Sequence, residues 1–175
     1  MIKLNISSST VSAVLLMAFC LLLIPSCQKT DQTKDPTAVE EQNKESFRHW
    51  IEATEKQDYQ VWDEVCSEDY TFHFGDRSMG LEEHKHGNNP FAAAFPDLKY
   101  VIHSLVAEAD RVTARITLKG THSGEYYGIA PTGKKVQYPL MIEARFKKGK
   151  IVEAWGVGNQ LILMLQLGME LKPKK

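Results

Sequence analysis

The chain has 175 residues and a formal net charge of −1, with 43% hydrophobic and 25% charged residues. That length allows one domain with a real core, and the composition excludes disorder throughout. The near-neutral balance lacks the basic stripe that a nucleic-acid partner requires, so none is expected.

The first residues read as a targeting segment. Lys3 gives a small positive start, and residues 13–24 are an unbroken apolar run of 12. A transmembrane helix needs about 20 such residues, so the run fits the apolar region of a secretory signal. Ile24-Pro25-Ser26-Cys27 follows directly and resembles the end of a bacterial lipoprotein signal. In such signals the chain is cut before the Cys, whose thiol then carries diacylglycerol. Residues 1–26 are therefore read as signal peptide and Cys27 as the lipidation site. That puts the protein at the bacterial cell envelope, on the outer membrane or the periplasmic side, with the lipid as its sole membrane contact. Ordinary cleavage nearby, leaving a free thiol, is the alternative. Cys66 is then the one thiol left in the folded part, and its setting in VWDEVCSEDY suggests a buried structural Cys.

Residues 28–41 are polar, with one Pro and no aromatic residue. They read as a tether, and the lipidated Cys with its tether is counted as 27–45. The folded domain is counted as 46–168 and a basic tail as 169–175. Phe47, Trp50, Ile51 and Thr54 recur at helical spacing, and Val61, Trp62 and Val65 suggest a second short helix. Tyr70, Phe72 and Phe74 alternate with Thr71 and His73, which predicts a strand. GDRSMG reads as a turn. Residues 81–94 read as a third helix, interrupted near Gly87-Asn88-Asn89-Pro90.

Four strand-like runs follow. The second puts Val112, Ala114, Ile116 and Leu118 on one face. The third does the same with Val136, Tyr138, Leu140, Ile142, Ala144 and Phe146. Lys147-Lys148-Gly149-Lys150 is a hairpin turn. In the fourth, alternation groups Ile151, Glu153, Trp155 and Val157 on one face and Val152, Ala154, Gly156 and Gly158 on the other. Helices followed by successive antiparallel strands predict an α+β fold whose curved sheet wraps the helices to cover its apolar face.

FPDLKY, GTHSGEYYGIAPTGKKV and RFKKGKIVEAW followed by QLILMLQLG resemble the SnoaL-like polyketide cyclases, also called ester cyclases, of the nuclear-transport-factor-two-like superfamily. The resemblance implies a cone-shaped, cystatin-like fold with a deep interior pocket. It also implies ring closure by intramolecular aldol condensation without metal or cofactor. In that family the last strand ends in Trp, three residues, then an Asp that serves as general acid/base. Trp155 matches, but Asn159 stands at the Asp position. Asn donates and accepts hydrogen bonds without titrating, so either another residue moves the proton or the protein only binds.

His73 and Glu153 are the candidates to replace the Asp. His73 alternates away from Tyr70, Phe72 and Phe74, and histidine is a common proton carrier; Glu153 shares strand parity with Trp155 and Asn159. A solvent-exposed His and an exposed charge are the plainer readings of these two. Trp155, Asn159, Tyr138 and Phe72 are expected to line a pocket for a small apolar, carbonyl-containing ligand, with His122 of GTHSG at its gate. Core packing is the plainer reading for the aromatic residues. His84 and His86 lie two apart on a helix, which is not a metal-pair spacing. No phosphate loop, GxSxG elbow or paired-Cys motif is present, so no metal or cofactor is expected. Arg111, Thr113, Arg115 and Thr117 make the outer sheet face polar; a homodimer there is allowed but not indicated. Three classes stand: a cofactor-free enzyme of cyclase, isomerase or hydrolase type, a lipid-anchored binding module, and a protein-interaction domain. Asn159 favours the second over the first, and Trp155 with its small neighbours favours a pocket over the third.

Overall fold

A capping side chain and a proline start the first helix. The computed structural model describes residues 35–86 and 90–172; the expected signal peptide, the lipidation expected at Cys27 and the expected tether up to residue 34 lie outside the described residues. Helix α1, Pro36–Lys56, follows Asp35, whose carboxylate accepts from the Thr37 N–H, with Pro36 in the first turn. Both features favour helix initiation, because they answer N–H groups that have no partner within the helix. Residues 36–45, read above as tether, therefore belong to this helix. They are held there: Glu40 accepts from the Ala109 N–H at 2.9 Å, and Asn43 is buried.

Helix α2, Tyr59–Val65, leads into strand β1, Cys66–Phe74, and β2, Arg77–Gly80. The GDRSMG segment, expected as a turn alone, thus contributes a short edge strand. Helices α3, Leu81–His86, and α4, Pro90–Ala94, flank residues 87–89, so the expected interruption falls outside the described residues. Strands β3, Lys99–Glu108, β4, Arg111–Thr121, β5, Lys135–Lys147, and β6, Lys150–Gly158, precede helix α5, Gln160–Leu167. The strands form one sheet in the order β2-β1-β6-β5-β4-β3. All neighbours are antiparallel except β1 and β6, which run parallel. This is the expected α+β architecture.

The apolar faces of β4 and β5 pack inward as the alternation predicts, with Val112, Ala114, Ile116, Leu118, Val136, Tyr138 and Ile142 all buried. An aromatic cluster closes the core beneath α1. Trp50 meets Trp62 edge-on at 5.7 Å and Tyr70 at 6.2 Å. Cys66 is buried as expected, and burial pushes its thiol up to about 12, which keeps it an unreactive thiol.

The register gives the sheet two ends. At one lie the β3–β4 turn at 109–110, the β5–β6 turn at 148–149 and the start of β1, since Arg111 pairs with Arg145 and Cys66 with Ile151. The N-terminal half of α1 is bonded there through Ala109. At the other lie the end of β1, loop 122–134, the end of β6 and α5. Glu55, near the C-terminus of α1, accepts from the Tyr100 N–H at 2.9 Å, so α1 runs from the turn end to the far end.

Strand β6 carries the irregularity that matters most. Arg145 pairs with Glu153, but Phe146 pairs with Ile151, so Val152 is one extra residue. Such a bulge reverses the facing of everything beyond it. Ile151 points into the core, while Glu153, Trp155 and Val157 point outward and Ala154 and Gly156 inward. The inward glycines make room for aromatic rings. A Cβ on Gly156 would lie 2.8 Å from the Phe74 ring, and one on Gly158 would lie 2.1 Å from the Tyr138 hydroxyl oxygen. Gly158→Ala should therefore displace Tyr138 and cost about 1–3 kcal/mol; a lowered urea midpoint with unchanged slope would show it.

Candidate functional site

Between the inner sheet face and the helices lies a cavity of about 300 Å³. Its walls are mostly apolar: Trp50 and Ile51 from α1, Phe72 and Phe74 from β1, Leu118 from β4, and Leu140 and Ile142 from β5. Polar side chains reach it from several elements, and two groups of them are joined by hydrogen bonds. Large apolar pockets with a handful of convergent polar groups are the usual form of small-molecule sites.

On one side stands His84 of α3. The helix is fixed by the buried Lys85, whose Nζ bonds Asp63 at 2.7 Å and Glu82 at 2.9 Å. The His84 ring stacks on Phe72 at 4.3 Å and meets Trp62 edge-on at 4.8 Å. Its Nδ1 lies 3.0 Å from the Tyr70 hydroxyl. Burial alone lowers its pKa from the ordinary 6.5 to about 4, so the imidazole is neutral at neutral pH. Burial also holds the Tyr70 phenol well above its usual range, so it keeps its proton. A phenol that donates to Nδ1 satisfies its own O–H, which leaves the other ring nitrogen, Nε2, as an N–H donor. Glu83, the residue before, also lines the cavity and is exposed.

On the other side Gln160 bridges two tyrosines. Its Nε2 donates to the Tyr126 hydroxyl at 2.6 Å, and the Tyr138 hydroxyl donates to its Oε1 at 3.5 Å. Burial raises both phenols, Tyr138 up to about 12. The cavity therefore offers neutral hydrogen-bonding groups at two separated points, with Arg77 and Glu83 as the charged groups in its lining. Trp50 also lines it, and its indole N–H has no partner among the described residues.

Residues 44–167 match the family model described as SnoaL-like polyketide cyclase. The chain belongs to that family. Among solved structures, this SnoaL-like domain is similar to AclR of Streptomyces galilaeus, to which a hydroxylase activity is ascribed. The two share 33% identity and a TM-score of 0.68, over 77% of this chain and 87% of that one. IdmH of Streptomyces antibioticus, to which polyketide cyclisation is ascribed, shares 26% identity and a TM-score of 0.66, over 73% of this chain and 99% of the other. A SnoaL-like protein of Jannaschia sp. CCS1 has a TM-score of 0.71 at 22% identity, over 79% and 99% of the two chains, and shows the fold alone. No curated protein matches the sequence at a significant level.

The structure distributes the sequence-predicted residues of this SnoaL-like domain unevenly. Tyr138 and Phe72 stand in the cavity wall. Trp155 and Asn159 do not line it. The bulge at Val152 turns Trp155 to the outer sheet face, where it stacks on His73 at 5.4 Å with the Arg111 guanidinium over its ring. Asn159 is exposed and caps α5, its Oδ1 accepting from the Ile162 N–H at 3.3 Å.

His73 and Glu153 do come together, at 2.9 Å, but on the same outer face. Ser78 sits 2.8 Å from the other ring nitrogen of His73. Arg145 holds Glu153 through its Nε and Nη2, and these bonds chiefly keep the Glu153 pKa low. Ser78, His73 and Glu153 thus form a chain of nucleophile, imidazole and carboxylate. None of the three lines the interior cavity, and cross-strand pairing accounts for their contacts. His122 is fully buried and outside the cavity lining. Its Nδ1 accepts from the Thr132 N–H at 3.2 Å, so it pins loop 122–134 instead of gating the pocket.

Sequence reasoning missed His84, Glu83, Tyr126 and Gln160 as lining residues. His84 and His86 were considered together for metal spacing, and the structure separates them: His84 faces Tyr70, and His86 meets the Tyr59 ring. The available signal was the spacing of Leu81 and His84, one helical turn apart ahead of Phe91.

Proposed function

We propose that this SnoaL-like protein takes up a small, mostly apolar carbonyl compound in the interior cavity and stabilises its enolate. The ligand carbonyl oxygen accepts from His84 Nε2–H, with Tyr70 fixing the ring. A neutral imidazole in an apolar site is an effective donor to a developing oxyanion, because little competes with it. Glu83 serves as the base. The C–H bond next to the carbonyl breaks, its proton goes to the Glu83 carboxylate, and its electron pair moves onto the carbonyl oxygen. Ring closure follows when the enolate carbon attacks a second carbonyl of the same molecule, whose oxygen takes up the proton. Tyr126, Gln160 and Tyr138 hold a further polar group of the ligand. The observation that carries this reading is the half-buried, neutral His84 in a mostly apolar cavity. The ascribed activity of IdmH supports it.

Exchange of solvent deuterium into the acetyl group of acetylnaphthalene tests the chemistry. Exchange above the buffer rate that saturates with probe is expected. Saturable binding without exchange would favour the second reading, a binding protein without turnover, for which Asn159 at the family's Asp position is the supporting observation.

The first 27 residues support an envelope location. Signal removal before Cys27 and acylation of its thiol would anchor the domain stably, since each buried methylene contributes about 0.8 kcal/mol. Metabolic labelling with a tagged fatty acid should mark the protein, and Cys27→Ala should abolish the mark. Label retained in that variant would refute the anchor.

A further inference from the structure

We propose that the cavity selects a ligand with two carbonyl oxygens, one held by His84 and a second, which does not react, held by Tyr126. Tyr126 is then a specificity-determining residue. This rests on the interior cavity being the ligand site, and it names the further polar group held there. The decisive feature is a proton without an acceptor. Gln160 Nε2 lies 2.6 Å from the Tyr126 hydroxyl, and Gln160 Oε1 lies 3.5 Å from the Tyr138 hydroxyl. An amide donates at one end and accepts at the other. The phenol facing the amide oxygen, Tyr138, spends its proton there. The phenol facing the amide nitrogen, Tyr126, accepts and keeps its own proton spare. Turning the amide over would exchange the roles of the two phenols and still leave one proton spare. Among the described residues no acceptor for the Tyr126 O–H stands within hydrogen-bond reach.

Neither phenol gives its proton up at neutral pH, because burial raises the pKa of both. Tyr126 is 3% exposed, with the rings of Phe91, Phe95 and Tyr127 against its own. Tyr126, Gln160 and Tyr138 all line the cavity, so the spare proton is offered to what the cavity holds. A ligand that displaces water from this proton keeps the bond only by bringing an acceptor. An apolar group in the same place leaves the donor buried and unpaired. A neutral oxygen suits it better than a carboxylate, whose charge would lose its hydration among apolar walls. The Nε2–H of His84 is the other donor. Phe72, Phe74 and Leu140 line the cavity together with both donors. A flat apolar frame with a carbonyl at each end matches that arrangement.

Calorimetry on the full chain compares two probes of nearly equal shape. One is diacetylnaphthalene, with its acetyl groups at opposite ends of the rings. The other carries an isopropenyl group in place of one acetyl, so a methylene replaces the second oxygen. The diacetyl probe is expected to bind about three- to tenfold more tightly, the usual worth of one neutral hydrogen bond. That preference, read as the ratio of the two affinities, should fall to about one in Tyr126→Phe, which keeps the ring and removes the donor. Infrared spectra give a second reading that needs no variant. Both carbonyl stretches of bound diacetylnaphthalene should lie below their positions in hexane. Equal binding of the two probes by the wild-type chain, or one carbonyl stretch left where it is in hexane, would overturn the second donor while the cavity reading stands. A preference that survives in folded Tyr126→Phe would remove Tyr126 as the residue that selects. Binding of neither probe would end the cavity reading and this inference with it.

Discussion

Replacing His84 by alanine should lower deuterium exchange into acetylnaphthalene by about 10²–10³-fold, the usual loss when one oxyanion donor is removed. The effect should fall on kcat more than on KM, because the donor strengthens its bond as charge develops on the oxygen. His84→Ala also leaves the buried Tyr70 hydroxyl without its ring partner, so reduced stability is expected alongside. Glu83→Gln separates the two effects. Glu83 is exposed, so this variant should fold normally and still lose about 10²–10⁴-fold as the base is removed. Full exchange in Glu83→Gln would remove Glu83 from the proposal, and full exchange in a folded His84→Ala would remove the mechanism.

The same imidazole should make the fold acid-sensitive. Its pKa is about 4 in the folded protein against an ordinary 6.5. Between those values the unfolded chain binds more protons than the folded one, so stability rises with pH there. The contribution is fully present above about pH 6.5, is lost as pH falls towards 4, and is on the order of 3 kcal/mol. His84→Phe should flatten that part of the curve. It should also cost about 1–3 kcal/mol at neutral pH, because the Tyr70 hydroxyl loses its partner. Urea unfolding across pH 4–7 measures both. A slope unchanged in His84→Phe would mean that another group titrates in this window.

Much of the fold was legible because its signals are periodic. Alternation in β4 and β5 follows directly from which side chains must leave water, and the resemblance of FPDLKY and GTHSGEYYGIAPTGKKV carried the topology. The N-terminal boundary was harder. Residues 36–45 are polar, and what holds them in a helix is a start signal at Asp35-Pro36, which is local and was passed over, and the bonds of Glu40 and Asn43 with Ala109, which no local pattern reveals. The site was misread for one physical reason. Counting parity from Ile151 through β6 puts Trp155 inside, but the single extra residue Val152 reverses it. The small residues beside Trp155 were noted as signs of a pocket. It is they, Gly156 and Gly158, that lie against the rings of the pocket, and not the indole. Likewise His73 and Glu153 are close in space, yet a strand's period of two cannot say which face is covered.

The central claim is that the functional centre is the interior cavity at His84 and not the outer face. Calorimetric binding of acetylnaphthalene tests it on four folded variants: His84→Ala, Gly158→Ala, His73→Ala and Trp155→Ala. The account predicts affinity weakened about tenfold by each of the first two, one lost by a missing donor and one by a displaced Tyr138. It predicts no change from His73→Ala and Trp155→Ala. Weakened binding in the outer-face variants with normal binding in His84→Ala and Gly158→Ala would contradict it.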